Sequence, residues 1–140
     1  MNQLEILQPA VAMLLLTGAV WLFMYARRLP FILANKIDPQ SIATPELLNA
    51  KIPANINSPS NNLKNLFELP VVFYTTCAFI YLLQAADDVF IYLAWSYFVL
   101  RTIHSIVHCT VNIVNIRFTA YFLSSIILWC ILARLALVVF

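Results

Sequence analysis

The chain has 140 residues, of which 63% are hydrophobic and only 10% are charged. A soluble domain typically carries about a quarter charged residues, so this composition excludes an ordinary soluble protein. The formal net charge of +2 is too small to indicate a nucleic-acid partner. Gly18 is the only glycine, which excludes a glycine-rich phosphate-binding loop. The composition is that of a polytopic membrane protein.

Four apolar runs have the length of about 20 residues that crosses a bilayer as a helix. Their bounds are residues 6–29, 65–86, 89–108 and 118–140. The stretch 30–64 is rich in proline, asparagine and serine, and we expect it to be an ordered or partly ordered loop. The other connections are short, which favours antiparallel neighbours. The sequence therefore predicts one all-α domain over residues 1–140, an integral membrane four-helix bundle with up-down topology.

Basic residues gather at one end of this predicted bundle. The first loop and its flanks hold Arg27, Arg28, Lys36, Lys51 and Lys64, and the third loop ends on Arg117. Acidic residues mark the other end, namely Glu5, Asp87 and Asp88. The positive-inside rule then makes the first and third loops cytoplasmic and both termini non-cytoplasmic.

Each predicted helix also carries polar residues near its cytoplasmic end. Those on the third and second helices share one helix face each because of their spacing. The set comprises Arg28, then Asn61, Asn65 and Glu68, then Tyr97, Arg101, His104 and His108, and finally Arg117, Tyr121 and Ser124. Ionisable groups at membrane depth are costly and mark functional sites. At 1.5 Å per residue most of them lie within about 10 Å of the cytoplasmic surface, which predicts a one-sided polar pocket.

Such a pocket suits a small anionic ligand of peptide character. Arginine binds a carboxylate through two parallel hydrogen bonds. Glu68 can accept hydrogen bonds from an α-amino group, and Asn65 can bond an amide. Glutathione has all three groups, and a nearby guanidinium favours the thiolate form of its thiol.

Structural roles for the same residues stay open at this point. Glu68 can neutralise Arg101 or Arg117 inside the bundle. His104 and His108 can satisfy backbone carbonyls or reach the lipid headgroups. The two histidines lie one helical turn apart, but no third ligand of a suitable type is evident, so no metal site is predicted.

Two motifs resemble the signatures of the MAPEG superfamily, the membrane-associated proteins in eicosanoid and glutathione metabolism. Lys64 followed by Asn65-Leu66-Phe67-Glu68-Leu69-Pro70 resembles the first signature. Arg101-x-x-His104-x-x-x-His108, followed nine residues later by Arg117 and then by Tyr121, resembles the second. The end of the first run, Ala26-Arg27-Arg28, is similar to the leukotriene-synthase branch. The resemblance covers essentially the whole chain.

The resemblance implies a homotrimer of four-helix bundles, with glutathione as co-substrate bound between protomers near the cytoplasmic side. It implies that Arg117 and Arg28 are catalytic, Arg117 by stabilising the thiolate, and that Arg101 supports the site. The implied set of glutathione-site residues is Arg28, Lys64, Asn65, Glu68, Arg101, His104, His108, Arg117 and Tyr121.

The activity implied is that of a membrane glutathione transferase that conjugates lipophilic electrophiles and also reduces lipid hydroperoxides. Three positions depart from the family pattern. Asn61 stands where the mammalian enzymes usually carry an arginine, and His108 stands where they carry a tyrosine. Phe118 follows Arg117 where microsomal prostaglandin E synthases have a serine, which argues against that isomerase chemistry. The alternative function is a non-catalytic membrane protein that binds a lipid or a partner, like the lipoxygenase-activating branch of the family.

Overall fold

A computed structural model describes residues 2–140 as an all-helical bundle, as predicted. Helices make up 85% of the structure, and residues 2–140 contain no strand. The helices are α1 Leu7–Ala34, α2 Pro45–Lys51, α3 Ala54–Leu66, α4 Leu69–Leu82, α5 Asp88–Cys109 and α6 Val114–Val139. Short 3-10 turns cover Gln3–Ile6 and Pro39–Ile42.

Four helical segments are long and apolar enough to cross a membrane, which makes this an integral membrane protein. They are Gln3–Ala34, Ala54–Leu82, Asp88–Cys109 and Val114–Val139. The outer surface of the bundle is apolar, with large exposed side chains such as Leu15, Trp21, Phe122 and Trp129. Such a surface suits hydrocarbon rather than water.

The first and second spans differ in their bounds from the prediction. Helix α1 continues through Pro30 to Ala34, and most of the remaining stretch 35–64 is helical instead of forming a loop. Two of the prolines there occupy helix starts: Pro45 lies in the first turn of α2, and Pro53 is the N-cap of α3. A third, Pro59, lies inside α3. Proline is tolerated at a helix start because its missing N–H would have no intrahelical partner there. These prolines lie at the start of a helix or inside one, which is why reading them as loop markers failed.

The second span consists of two helices. Helix α3 ends at Leu66, and α4 begins at Leu69 after a break at Phe67 and Glu68. Glu68 is the N-cap of α4, with φ of −96° and ψ of −107°, both outside the helical region. Pro70 follows in the first turn of α4, where proline is tolerated.

The interior of the bundle is filled by fully buried apolar side chains from all four spans. Phe73 of α4 stacks on Tyr97 of α5 with ring centroids 4.3 Å apart. Met13, Leu128 and Ile131 are likewise inaccessible. Helices α5 and α6 make the most extensive helix pair, so the third and fourth spans form a rigid antiparallel unit.

The α4–α5 connection is held by two sets of side-chain contacts. Gln3 bonds both polar groups of the Ala86 backbone, donating to its carbonyl at 3.2 Å and accepting from its N–H at 2.8 Å. Asp87 caps α5 by accepting from the Phe90 N–H at 2.9 Å. It also forms a bidentate pair with Arg134 of α6, at 2.9 and 2.6 Å.

This arrangement stabilises the ionised form of Asp87. Partial burial disfavours the charged carboxylate, but the Phe90 N–H and the Arg134 guanidinium outweigh burial and hold the pKa of Asp87 below its ordinary value.

Helices α1 and α4 end in the same way. Lys36 and Gln84 both have positive φ, of 49° and 55°. The N–H of Ile37 bonds the Ile32 carbonyl at 3.0 Å, and the N–H of Ala85 bonds the Ile80 carbonyl at 3.0 Å. Both ends are therefore Schellman motifs, which satisfy the last carbonyls of the helix.

Candidate functional site

The end of α3 meets α5 through one asparagine and two histidines. The Asn65 side-chain nitrogen lies 3.4 Å from Nε2 of His104 and 3.5 Å from Nδ1 of His108. The two imidazole rings stand edge to face with centroids 5.5 Å apart. Both histidines are almost completely buried, whereas Asn65 is half-buried. A ligand can therefore reach this cluster from the Asn65 side.

His104 also connects α5 to α6. Its Nδ1 lies 2.9 Å from the backbone carbonyl of Arg117, a short and well-formed hydrogen bond. Its ring packs against that of Tyr121 with centroids 5.6 Å apart. The Arg117 guanidinium donates to Asn112 in the α5–α6 connection. The backbone carbonyl of Arg117 thus belongs to the histidine cluster, while its guanidinium is hydrogen-bonded in the α5–α6 connection.

Arg101 lies behind this cluster as a completely buried cation. Its guanidinium carbon is 4.4 Å from the centre of the Tyr121 ring and 5.4 Å from that of Tyr97. All three guanidinium nitrogens lack a hydrogen-bond partner within residues 2–140. The charge is therefore stabilised by aromatic faces alone.

Arg28 and Lys64 lie in a different place. They line a cavity of about 280 Å³ between the end of α1, α2 and α3. Arg28 donates to the Asn57 side chain at 2.7 Å, and Asn57 in turn donates to Asn49. This cavity offers two cations and several neutral polar groups, but it does not include Asn65 or the histidines.

Glu68 is exposed at the α3–α4 break. The ion pair that the structure shows over residues 2–140 joins Arg134 and Asp87, so Glu68 neutralises neither Arg101 nor Arg117 within one chain. No group of three His, Cys, Asp or Glu side chains in the described part of the chain is placed to hold a metal ion.

The structure thus brings together six of the residues predicted for the site and leaves three apart. The six at the cluster are Asn65, Arg101, His104, His108, Arg117 and Tyr121. Arg28 and Lys64 share the second cavity, and Glu68 faces outward. Two asparagines were not predicted as site residues: Asn57, which accepts from Arg28, and Asn112, which accepts from Arg117. Asn57 lies two helical turns before Asn65 on α3, and this spacing was a usable signal, whereas nothing in the sequence marks Asn112.

A second contact between α3 and α5 was also missed. The Asn62 side chain donates to Sγ of Cys109 at 3.4 Å and accepts from the Ser105 hydroxyl at 3.4 Å. All three side chains are buried. They align α3 with α5 one turn away from Asn65, and this alignment positions the asparagine against the histidines.

Four membrane-spanning helices with buried polar side chains gathered at one end define an integral membrane protein with an internal polar site. A family model describes such chains: the MAPEG family model matches residues 6–137, nearly the whole sequence, and the protein belongs to this family. No protein of curated function and no solved structure matches the chain.

Proposed function

We propose that this protein binds glutathione at the Asn65–His104–His108–Tyr121 cluster and transfers it to lipophilic electrophiles. The observation that carries the proposal is the buried polar cluster itself, built at one end of a membrane bundle. Such groups are costly at membrane depth and are rarely placed there without a ligand or a chemical task. Membership of a family that includes glutathione transferases supports the same function.

In the proposed reaction, the Arg117 guanidinium stabilises the glutathione thiolate, and Arg28 is the second catalytic cation. The thiolate sulfur attacks the electrophilic carbon, a C–S bond forms, and the leaving group departs with its electron pair. With a lipid hydroperoxide, the sulfur attacks the terminal oxygen and releases the lipid alcohol. A second glutathione then reduces the sulfenic acid to the disulfide and water.

The separation of the two polar regions within one chain supports the proposed homotrimer. Arg28 and Lys64 line the second cavity, whose lining includes neither Asn65 nor the histidines. In the proposed trimer, the second cavity of one copy adjoins the histidine cluster of the next. Glutathione then lies between protomers, near the cytoplasmic ends of the spans.

Ultraviolet difference spectroscopy of bound glutathione tests the proposal. Wild-type protein should bind glutathione and show a thiolate band at neutral pH. Arg117→Leu should lose that band and most turnover with an aryl halide, while much of the affinity remains. A group that acts mainly on thiolate charge affects the rate more than binding.

Arg134→Leu is the matched control, because it removes an arginine at the opposite end of the bundle and should leave the thiolate band intact. If wild-type protein binds glutathione but shows neither a thiolate band nor turnover with electrophiles or hydroperoxides, the enzymatic proposal fails.

The second candidate function is lipid binding without catalysis. A cavity of about 350 Å³ on the membrane-facing side of α5 and α6 favours it, because its lining is almost entirely apolar. Leu100, Ile103 and Leu123 form much of the wall, with Ala120 among them. Retention of a lipid in this cavity together with failure to bind glutathione would favour this function over the transferase.

A further inference from the structure

The hydrogen bond between His104 and Arg117 fixes which nitrogen of His104 carries the proton. A backbone carbonyl only accepts hydrogen bonds, so Nδ1 of His104 must be the donor at 2.9 Å. In a neutral imidazole the other nitrogen is then an acceptor. His104 therefore presents a bare Nε2 toward Asn65.

Asn65 transmits this constraint to the second histidine. Its side-chain nitrogen has two hydrogens and stands within reach of Nε2 of His104 and Nδ1 of His108. Donating one hydrogen to each makes Nδ1 of His108 an acceptor, which leaves the proton of His108 on Nε2. The two histidines are thus held in opposite tautomers by one amide group.

The reversed amide orientation is unfavourable for an electrostatic reason. With the Asn65 oxygen facing the rings, Nε2 of His104 would need a proton in addition to the one on Nδ1, which makes an imidazolium. The neighbouring charged groups are Arg101 on the same helix and Arg117 on α6, and both are cations. Tyr121 of α6 and His108 are the other titratable neighbours, and neither supplies a negative charge. A further positive charge, buried at His104, has no acidic partner among these neighbours.

We propose that Asn65 is a positioning residue that sets opposite tautomers in His104 and His108, and that the cluster is thereby built to bind a secondary amide. The groups left for a ligand are the Asn65 carbonyl, which accepts, and the Nε2–H of His108, which donates. An amide carries the complementary N–H donor and C=O acceptor. This ligand class rests on the proposed function, because glutathione contains two such amide bonds, whereas the tautomer assignment does not depend on any ligand.

Nitrogen-15 NMR of histidine-labelled protein in detergent tests the assignment without glutathione. The chain contains two histidines, so His104→Gln and His108→Gln variants assign the ring signals. We expect the Nδ1–H tautomer for His104 and the Nε2–H tautomer for His108. The opposite tautomer in either ring, or a tautomer mixture at His108, would overturn the proposal.

Asn65 variants separate positioning from mere packing. In Asn65→Leu, His104 should keep its tautomer through Arg117, whereas His108 should become a mixture. In Asn65→Asp, which only accepts hydrogen bonds, His104 should carry protons on both ring nitrogens at neutral pH. Asn65→Gln, which restores the amide, should recover at least part of the His108 preference. An unchanged His108 spectrum in Asn65→Leu would contradict the role of Asn65, and the wild-type spectrum remains decisive if a variant does not fold.

Binding measurements test the ligand class separately. Glutathione should bind wild-type protein at least about tenfold more tightly than an analogue with both amides replaced by esters, since an ester has no N–H and leaves the Asn65 carbonyl without a donor. Equal binding of the two would refute the amide proposal. Failure to bind either compound would refute the proposed function and leave the tautomer result intact.

Discussion

At the scale of single residues, Arg101 is the most costly side chain in the molecule. Its guanidinium is inaccessible and has no hydrogen-bond partner within residues 2–140. Each desolvated cation–π contact contributes about 2 kcal/mol, while the effective penalty for burying an ion is several kcal/mol. The two contacts at most offset this penalty, so Arg101 adds little or no net stability, consistent with a role in the site rather than in folding.

Replacing Arg101 should show how the burial penalty of its charge compares with its two aromatic contacts. We expect Arg101→Met to leave the free energy of unfolding unchanged or to raise it by about 1–4 kcal/mol, as in other replacements of buried charges. Arg101→Ala should be less stable than Arg101→Met because it leaves a cavity. Chemical unfolding in detergent measures both. A loss of several kcal/mol in Arg101→Met would mean that the arginine has a strong partner, contrary to our account.

Glu68 should show the opposite behaviour. It is exposed and forms no ion pair within residues 2–140, so Glu68→Gln should change the free energy of unfolding by no more than about 0.5 kcal/mol. If it accepts from the α-amino group of glutathione, the same change should weaken binding by about 1.5–3 kcal/mol. Isothermal titration of glutathione measures this loss, and Glu46→Gln on α2 serves as the control. Normal binding together with a much lower melting temperature would make Glu68 structural.

At the scale of elements, the contacts of Asp87 connect the start of α5 to α6. The Arg134 and Asp87 side chains are 35% and 43% exposed, so their ion pair contributes at most about 1 kcal/mol. The helix cap that Asp87 provides is worth about another 1 kcal/mol. Both contributions act at the end of the bundle opposite the histidine cluster.

Asp87→Asn should separate these two contributions, because asparagine retains the cap and loses the ion pair. We expect a loss of about 0.5–1 kcal/mol in the free energy of unfolding, and a further loss of about 1 kcal/mol in Asp87→Ala. Since folding lowers the pKa of Asp87, its contribution is complete above the ordinary value of about 3.9 and disappears as the pH falls through the folded value. Unfolding measured against pH checks this, with Asp88→Asn as control. A difference from wild type that persists well below that range would contradict the assignment.

Element types were predictable from the sequence, whereas element bounds inside the 30–64 stretch were not. Long apolar runs fix the four spans because hydrocarbon leaves little choice of secondary structure. A proline, in contrast, can mark either a loop or a helix start, and its neighbours decide: Thr44 accepts from the Leu47 N–H and so makes Pro45 a helix start. The helical spacing of Arg101, His104 and His108 placed them correctly on one buried face. The partner of Arg117 was not predictable because it depends on how the α5–α6 connection folds.

At the scale of the whole molecule, the distribution of charge predicts assembly and orientation together. In the proposed assembly, the second cavity of one copy and the histidine cluster of the next copy form one site. The basic residues beside both regions predict, by the positive-inside rule, that this end is cytoplasmic. Assembly and orientation can each be measured in a separate experiment, and each result tests the proposed function.

We expect three copies per particle when the protein is purified in mild detergent. Native mass spectrometry or light scattering corrected for detergent measures the mass. A trimer is expected for wild type and for Glu68→Gln, whose substitution lies in the site and not in the helix packing. A monomer that still binds glutathione would refute the site between protomers.

Orientation can be tested by labelling single cysteines in intact cells. In a background without Cys77, Cys109 and Cys130, a cysteine at exposed Asn55 should react with an impermeant reagent only after the membrane is opened. A cysteine at exposed Asp88 should react in intact cells. Labelling of position 55 in intact cells would show that the orientation is the reverse of the predicted one.

The Schellman ends of α1 and α4 provide a means of making the protein more robust for experimental work. Each places a residue with a Cβ atom in the left-handed region, which costs about 1–2 kcal/mol, whereas glycine there loses only about 0.5–1 kcal/mol in chain entropy. Lys36→Gly and Gln84→Gly should therefore each raise the free energy of unfolding by about 0.5–1 kcal/mol. Lys51→Gly, in the ordinary helical turn that ends α2, should instead lower it. Melting temperatures in detergent rank the three variants. The double glycine variant should then be a thermostabilised form for crystallisation or spectroscopy, with the polar site unaltered.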